Sequence, residues 1–429
     1  MSVETASLSV KSVSDQEVAA LRSSEQFDAD FYRTAYPDVQ ESGLDAAAHF
    51  LWIGARLGRL RARSQLGQSA PLDVLFVDGT NGTSSTPYRI DRVAEGLVLD
   101  GSKVDCIKAN QLHQVDGKSL RARHITFFRT PFVEPFSSFA REMRARGKVI
   151  AFDIDDLVFD EDQISTIDGY RCLSELEKVG YVRGVRAYRD FVLFADFCTA
   201  PTEFLAQRMQ LLGKRSFRVR NTLDQSEIDR FKDPCKRTQP GKFVIGYYSG
   251  SRTHQADFRN AGHALVRLME ENSAVEFRLV GEFELAEFPR LLEWTSGDRP
   301  RVIRVDLMPH SEMLDDQLLC DLIIAPLEVG NPFCESKSEL KFFEASLARR
   351  PIIASPTQTF RSATWNGEFA CLADSPDEWL NAFRSAVQNM DRLEADARRA
   401  HDFVLQEYSV RAAASDVFEA YTRTSMAVG

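Results

Sequence analysis

The sequence predicts an α/β protein made of two doubly wound parallel-sheet domains facing a cleft, with a small helical module ahead of them. Three observations predict it. The chain has 429 residues, and at roughly 100–200 residues per domain it needs more than one core. Short apolar runs alternate with amphipathic helical patterns, as expected of an α/β domain with a parallel sheet. A polar stretch containing Pro234, Pro240 and Gly241 divides that alternation into two series of similar length.

Residues 1–25 are rich in Ser, Thr, Ala and Glu with no hydrophobic period, and read as a flexible extension. In 26–66, Phe31, Tyr32, Tyr36, Val39, Leu44, Phe50, Leu51 and Ile53 fall at helical spacings broken by Pro37, Gly43, Gly54 and Gly58, so two or three short helices are expected. The first α/β domain, 67–238, has strand signals at 72–78, 103–109, 124–129, 148–155, 197–202 and 217–221, with helical patterns at 87–98, 134–146, 167–195 and 203–212. The second, 239–405, has strands at 242–250, 276–281, 301–307, 321–327, 350–355 and 368–373, with helices at 255–270, 310–320, 336–348 and 376–388. Helices at 390–407 and 410–423 close the chain, and 406–429 is expected to return to the first α/β domain.

Composition removes several classes of function. With 53 Lys and Arg against 63 Asp and Glu the net charge is −10, the opposite of a whole-chain nucleic-acid binder, so no nucleic-acid partner is expected. No apolar run approaches the ~20 residues of a membrane span. The N-terminus has no charged region followed by an apolar one, so no secretory signal is read. Seven scattered cysteines, none in C-x-x-C spacing, fit reduced thiols in the cytoplasm.

In open α/β sheets ligands bind beyond the carboxyl ends of the strands, so the strand-to-helix loops are where chemistry is sought. The loop after the first strand, D-G-T-N-G-T-S-S-T-P-Y-R, has Gly79 and Gly82 to admit a phosphate, and Arg89 opens the next helix. The fourth strand delivers Asp153, Asp155 and Asp156. Their spacing suits a metal, a general base or sugar-hydroxyl recognition, and solvated carboxylates without function have the same pattern. The loop S-G-S-R-T-H offers Ser251, Arg252, Thr253 and His254 to an anion. The turn D-L-M-P-H-S at 306–311 is of a kind whose backbone reads a base edge. The richest segment is 325–355, A-P-L-E-V-G-N-P-F-C-E-S-K-S-E-L-K-F-F-E-A-S-L-A-R-R-P-I-I-A-S. A helix expected from Ser336 would carry Lys337, Lys341 and Glu344 on one side, with a diphosphate at its N-terminus and a ribose diol at Glu344.

The N-P-F-x-x-x-K-S-x-L-K-F-x-E pattern, the S-G-S-x-T-H-x-x-D-F pattern at 249–258 and N-T-L-D at 221–224 resemble GT-B glycosyltransferases of family 4, in their bacterial polysaccharide branch. The helical segment 26–66 resembles a module that accompanies such enzymes. The resemblance covers roughly 72–425. It implies two Rossmann-like domains, a nucleoside-diphosphate-sugar donor held by the second, a glycan acceptor held by the first, and transfer with retention. Arg252, Lys337, Glu344 and Asp155 are the implied catalytic residues. Gly82, Ser251, Thr253, His254, Asn331, Ser338 and Lys341 join Arg252, Lys337 and Glu344 around the donor, and Arg89, Asp153, Asp155 and Asp156 lie on the acceptor side.

The chain departs from the family pattern of two glutamates with seven residues between them. The second carries over to Glu344, but Ser336 stands where the first would be, leaving Glu335 and Asn331 as candidates. No cofactor and no metal ligand set is expected. The resemblance implies as acceptor a growing surface polysaccharide or other glycan, and where that acceptor is lipid-linked a cytoplasmic protein with peripheral contact at the inner face of the membrane is expected. Two segments support that contact: 55–63, with Arg56, Arg59, Arg61 and Arg63, and 131–148, where Phe132, Phe136, Phe139 and Met143 share a face beside Arg141, Arg144, Arg146 and Lys148. A core-facing stripe with a basic edge reads the same way. The alternative function is a noncatalytic glycan-binding or scaffold protein of the same fold.

Overall fold

A computed structural model describes residues 13–36, 38–55, 59–64, 72–114, 116–235, 240–250 and 255–425. The chain divides into two compact units. One comprises Met1–Gly82, Gly101–Thr130 and Glu134–Ala151, the other Thr83–Asp100, Pro131–Val133 and Phe152–Gly429.

Among the described residues twelve strands form two six-stranded parallel sheets, with a strand at each of the twelve places where the sequence signals one. In chain order they are β1 (Leu72–Asp78), β2 (Val104–Lys108), β3 (Ala122–Phe128), β4 (Val149–Asp153), β5 (Phe197–Ala200), β6 (Ser216–Arg218), β7 (Phe243–Ser249), β8 (Val275–Gly281), β9 (Val302–Val305), β10 (Leu322–Ala325), β11 (Ile352–Ala354) and β12 (Cys371–Leu372). The sheet orders are β2-β1-β3-β4-β5-β6 and β12-β11-β10-β7-β8-β9. Both orders reverse direction once, the mark of doubly wound sheets, so the fold is α/β with the GT-B pair of Rossmann-like sheets. In the second sheet the reversal falls between β7 and β10, which pair through Ile323 and Gly246. The inner strands are apolar without alternation because helices cover both faces. Every residue of β7 and of β10 is buried.

In the first unit the N-terminal helices Ala29–Ala35 and Ala46–His49 close on a core of Phe27, Phe31, Tyr32, Tyr36 and Val39. Gly54 is required there, since a Cβ on it would lie 1.9 Å from the Tyr32 hydroxyl. Arg146 ties this module to the helix Phe136–Ala145 by donating to the carbonyls of Thr34 and Ala35 at 3.0 and 2.8 Å. Residues 15–22, expected to belong to a loose extension, instead form a helix. Ser14 and Glu17 make a reciprocal capping box, a local signal that needs no hydrophobic period.

The aromatic stripe of 131–148 faces protein. Met143 is buried and Phe139 meets Phe127 with centroids 6.2 Å apart, while Phe132 packs in the second unit on Phe191 and Phe194. Its cations are also engaged: Arg141 faces Glu134, Arg146 pairs with Glu142 and Lys148 donates to the Leu120 carbonyl. Arg59 pairs with Asp38 and Arg61 donates to Gln26, while Arg56 lies outside the described residues. The apolar side of the stripe is thus accounted for by packing.

In the second unit, the last helix Val410–Ser425 packs on Arg92–Leu99, with Val417 beside Gly96, and the Tyr421 ring meets Phe197 edge-on. Among the described residues no helix is long and apolar enough to cross a membrane.

Candidate functional site

Beyond the carboxyl end of β10 the chain does not enter a helix at Ser336 as expected. Asn331 caps a single turn, Pro332–Glu335, by accepting from the Phe333 amide, and the main helix begins only at Leu340 and runs to Leu347. Proline at the first position of that turn fixes its start. Ser336 then closes it by donating to the Phe333 carbonyl at 2.7 Å. Lys337 therefore precedes the helix, and only Lys341 and Glu344 share its face.

The two lysines differ in their surroundings. Lys337 Nζ lies 2.7 Å from Asp156 Oδ1 and sits 4.2 Å above the Phe333 ring. Lys341, on the first turn of the helix, makes no hydrogen bond or ion pair with any described residue. Burial and the nearby Lys337 charge pull its ammonium below the ordinary lysine range, against the opposing pull of Asp257 and Glu344. Lys341 thus stands as a cation without a hydrogen-bonded partner among the described residues, at a helix start outside the reversal point of the second sheet.

Glu344 is already bound within the chain. It is buried and accepts from the Tyr88 hydroxyl at 2.5 Å and from His310 Nε2 at 3.0 Å. His310 comes from the turn that opens the helix His310–Gln317, and its Nδ1 lies 3.4 Å from Glu227. Arg92 completes the cluster, 4.0 Å from the Tyr88 ring centre and 2.5 Å from Glu227. Burial and the Glu344 charge raise the Tyr88 hydroxyl well above its ordinary value. Burial lowers the His310 imidazole, but the hydrogen bond and charge of Glu344, with the charge of Glu227, outweigh it and leave the ring raised.

Two of the expected acceptor-side residues form part of the frame instead. Arg89 and Asp153 are buried against each other, with two guanidinium nitrogens at 3.0 and 2.5 Å from the two carboxylate oxygens. Arg89 also donates to the Val219 carbonyl and to Asn221, and Thr199 donates to Asp153. Both side chains are buried, and the pair joins β4, β5 and the 219–221 segment. Asp155 and Asp156 are partly exposed just past β4.

Asn331 is likewise committed, its amide donating to the Thr166 carbonyl and to Glu328. Glu335 accepts from the Gly330 and Gln358 amides, so neither candidate replacement for the missing glutamate is free. Ser338 accepts from Asn221 at 3.0 Å. Asp257, Glu328 and Cys334 bring three potential metal-ligand atoms within 4.8 Å of one another. Cys334 donates to Asp257, whose charge also faces Lys341. Gly82 lies in the first unit with φ of 97°, a conformation that favours glycine. Ser251, Arg252, Thr253 and His254 fall outside the described residues.

Sequence reasoning did not single out Tyr88, Arg92 or Glu227. Tyr88 stands beside Arg89 in P-Y-R, and Glu227 closes the capping box of D-Q-S-E with Asp224. Both had a local explanation, and only the fold reveals that Tyr88 meets Glu344 and that Glu227 faces His310 and Arg92.

No family model matches the chain, and no curated protein matches it in sequence. Solved structures do match in fold. HepE from Anabaena, in a complex with UDP-glucose, is 15% identical over 82% of this chain and 100% of its own, with a TM-score of 0.55. Its complex with UDP and glucose gives 0.56 at 14% identity over the same shares. Sucrose-phosphate synthase from Thermosynechococcus elongatus is 12% identical over 83% of this chain and 100% of its own, with a TM-score of 0.53. At these identities the fold is what this chain shares with them.

Proposed function

We propose that the protein is a glycosyltransferase that moves a hexose from a nucleoside-diphosphate sugar to a growing surface glycan, with retention of anomeric configuration. The observation that carries this reading is the unpartnered Lys341 ammonium on the first turn of the helix after β10. There it would meet the diphosphate, with Lys337 and, from the loop after β7, Arg252 adding charge. Such preorganised cations stabilise the departing diphosphate most strongly where water is excluded. Glu344 would accept the ribose hydroxyls once Tyr88 and His310 release it, and Asp155 and Asp156 would face the acceptor. The fold it shares with a UDP-glucose-binding protein supports a nucleotide-sugar partner. The acceptor is lipid-linked in this reading, which brings the protein to the inner face of the membrane. Charge neutralisation by side chains makes turnover independent of divalent metal.

A second reading is favoured by one observation: Glu344, Lys337 and Asn331 are all engaged within the chain. A protein that kept the fold without the activity would hold them so. One assay separates the two. Full-length protein is incubated with UDP-, GDP- and dTDP-sugars, and release of nucleoside diphosphate is followed alongside thermal stabilisation. Stabilisation with release in one series, undiminished by chelator, is the expected result. Absence of both across the panel would overturn the transferase reading.

A further inference from the structure

The second unit holds a further cavity. It encloses about 490 Å³ and is lined by the start of the helix Glu203–Leu211, the end of β6, the helix Gln358–Ala363 and the Phe403–Tyr408 corner. That volume lies within the ~300–1,000 Å³ of small-ligand sites. Neither Lys341 nor Glu344 lines it.

Its most unusual feature is Trp365, which is 60% exposed. The indole stands on two other aromatic rings, Phe369 and Phe403, each with centroid 5.6 Å away; those two stack on each other at 4.2 Å. The backbone is contorted to present it. Trp365, Asn366 and Gly367 have φ of 50°, 55° and 98°, three consecutive residues in the left-handed region, the first a bulky aromatic that rarely adopts it. Backbone of this kind persists only where the surroundings hold it, and it gathers at ligand sites. A tryptophan held rigidly on an aromatic base with its ring in solvent is a platform for a flat apolar surface.

The polar lining carries both signs. Arg218 and Arg220 stand against Glu203, Glu339 and Glu407. Arg220 Nε is buried with no hydrogen-bond acceptor among the described residues, its nearest carboxylate oxygen, on Asp416, being 3.6 Å away. Glu339 is buried and accepts from the Tyr408 hydroxyl at 3.1 Å. With two cations against three carboxylates, such a lining does not select a polyanion or a polycation. It suits a ligand whose groups both donate and accept, with a C–H face for the indole.

We propose that this cavity is a saccharide subsite that holds a neutral stretch of sugar chain, its ring faces stacked on Trp365 and its hydroxyls bridged between Arg220, Arg218 and Glu339. The inference deepens the glycan-acceptor part of the proposed function. Saccharide binding and nucleotide binding are nevertheless read out separately, so either can fail alone.

The test is calorimetry on the full-length protein with cellotetraose, maltotetraose, mannotetraose and the acidic tetragalacturonate, each in wild type, Trp365→Ala, Trp365→Phe and Arg218→Ala. At least one neutral tetrasaccharide should bind the wild type. Trp365→Ala should weaken it about tenfold or more, Trp365→Phe should retain most of it and Arg218→Ala should lose part of it. UDP binding, measured on the same samples, should be unchanged in all of them, which shows that the variants are folded and that the two sites are separate. No neutral tetrasaccharide binding at millimolar concentration, equal affinity in wild type and Trp365→Ala, or binding of tetragalacturonate alone would overturn the proposal. If Trp365→Ala proves unfolded, the same comparison between wild type and Arg218→Ala decides it. Loss of UDP binding in the wild type would sink the donor reading and leave this one standing.

Discussion

His310 Nε2 lies 3.0 Å from the Glu344 carboxylate, and the other ring nitrogen faces Glu227 at 3.4 Å. Only the doubly protonated imidazole can donate to both. Because the folded-state pKa is raised above the ordinary value near 6.5, the contribution of His310 to stability is fully present below about 6.5 and is lost as pH rises through the folded value. Glu227, raised mainly by burial, acts in the same direction. Thermal melts between about pH 6 and pH 8 should therefore show wild-type Tm declining more steeply than that of His310→Gln. Parallel pH profiles would mean that the ring titrates alike in the folded and unfolded protein.

Lys341 tests the anion site directly. Its ammonium is desolvated and unpartnered, so its charge costs stability in the ligand-free protein. Lys341→Met should keep or raise Tm while lowering UDP affinity by about 10–100-fold, the range of a lost charge-assisted hydrogen bond. Titration calorimetry with UDP reads both arms. An unchanged affinity would move the diphosphate away from this helix.

Arg89 and Asp153 make the opposite case, in which removal damages the frame. Asp153→Ala leaves a buried guanidinium without its carboxylate, a change expected to cost about 3–5 kcal/mol. Urea unfolding should show it. Replacing both residues with apolar side chains of similar volume should recover much of the loss, which a role for the pair in acceptor binding would not predict for activity.

Every strand was legible because β4, β7 and β10 are short continuous apolar runs with nothing else to be. The sites were legible only as loops. Arg89 after a glycine-rich turn and Asp153 at a strand end look like ligand-binding residues, and nothing local reveals that they meet 64 positions apart. The helix expected at Ser336 starts four residues late because Asn331 and Pro332 spend the first residues on a separate turn. Glu344 is legible in the Lys-x3-Lys-x2-Glu spacing and again through the resemblance. Its partners Tyr88 and His310 lie 256 and 34 positions away, beyond any periodic pattern.

Lys337 and Asp156 give the sharpest prediction about the donor, because their ion pair and the diphosphate compete for one ammonium. The pair is partly exposed, with side-chain exposures of 21% and 22%, so its own contribution to stability is small, about 0–1 kcal/mol. Asp156→Ala should leave Tm nearly unchanged and release Lys337, raising UDP affinity severalfold, whereas Lys337→Ala should lower it. In the double variant the effect of removing Asp156 should vanish, because the cation it restrained is gone. If Asp156→Ala instead weakens UDP binding, Asp156 holds Lys337 in its productive position. The cycle then reports positioning, and the ion pair belongs to the bound state as well as the free one.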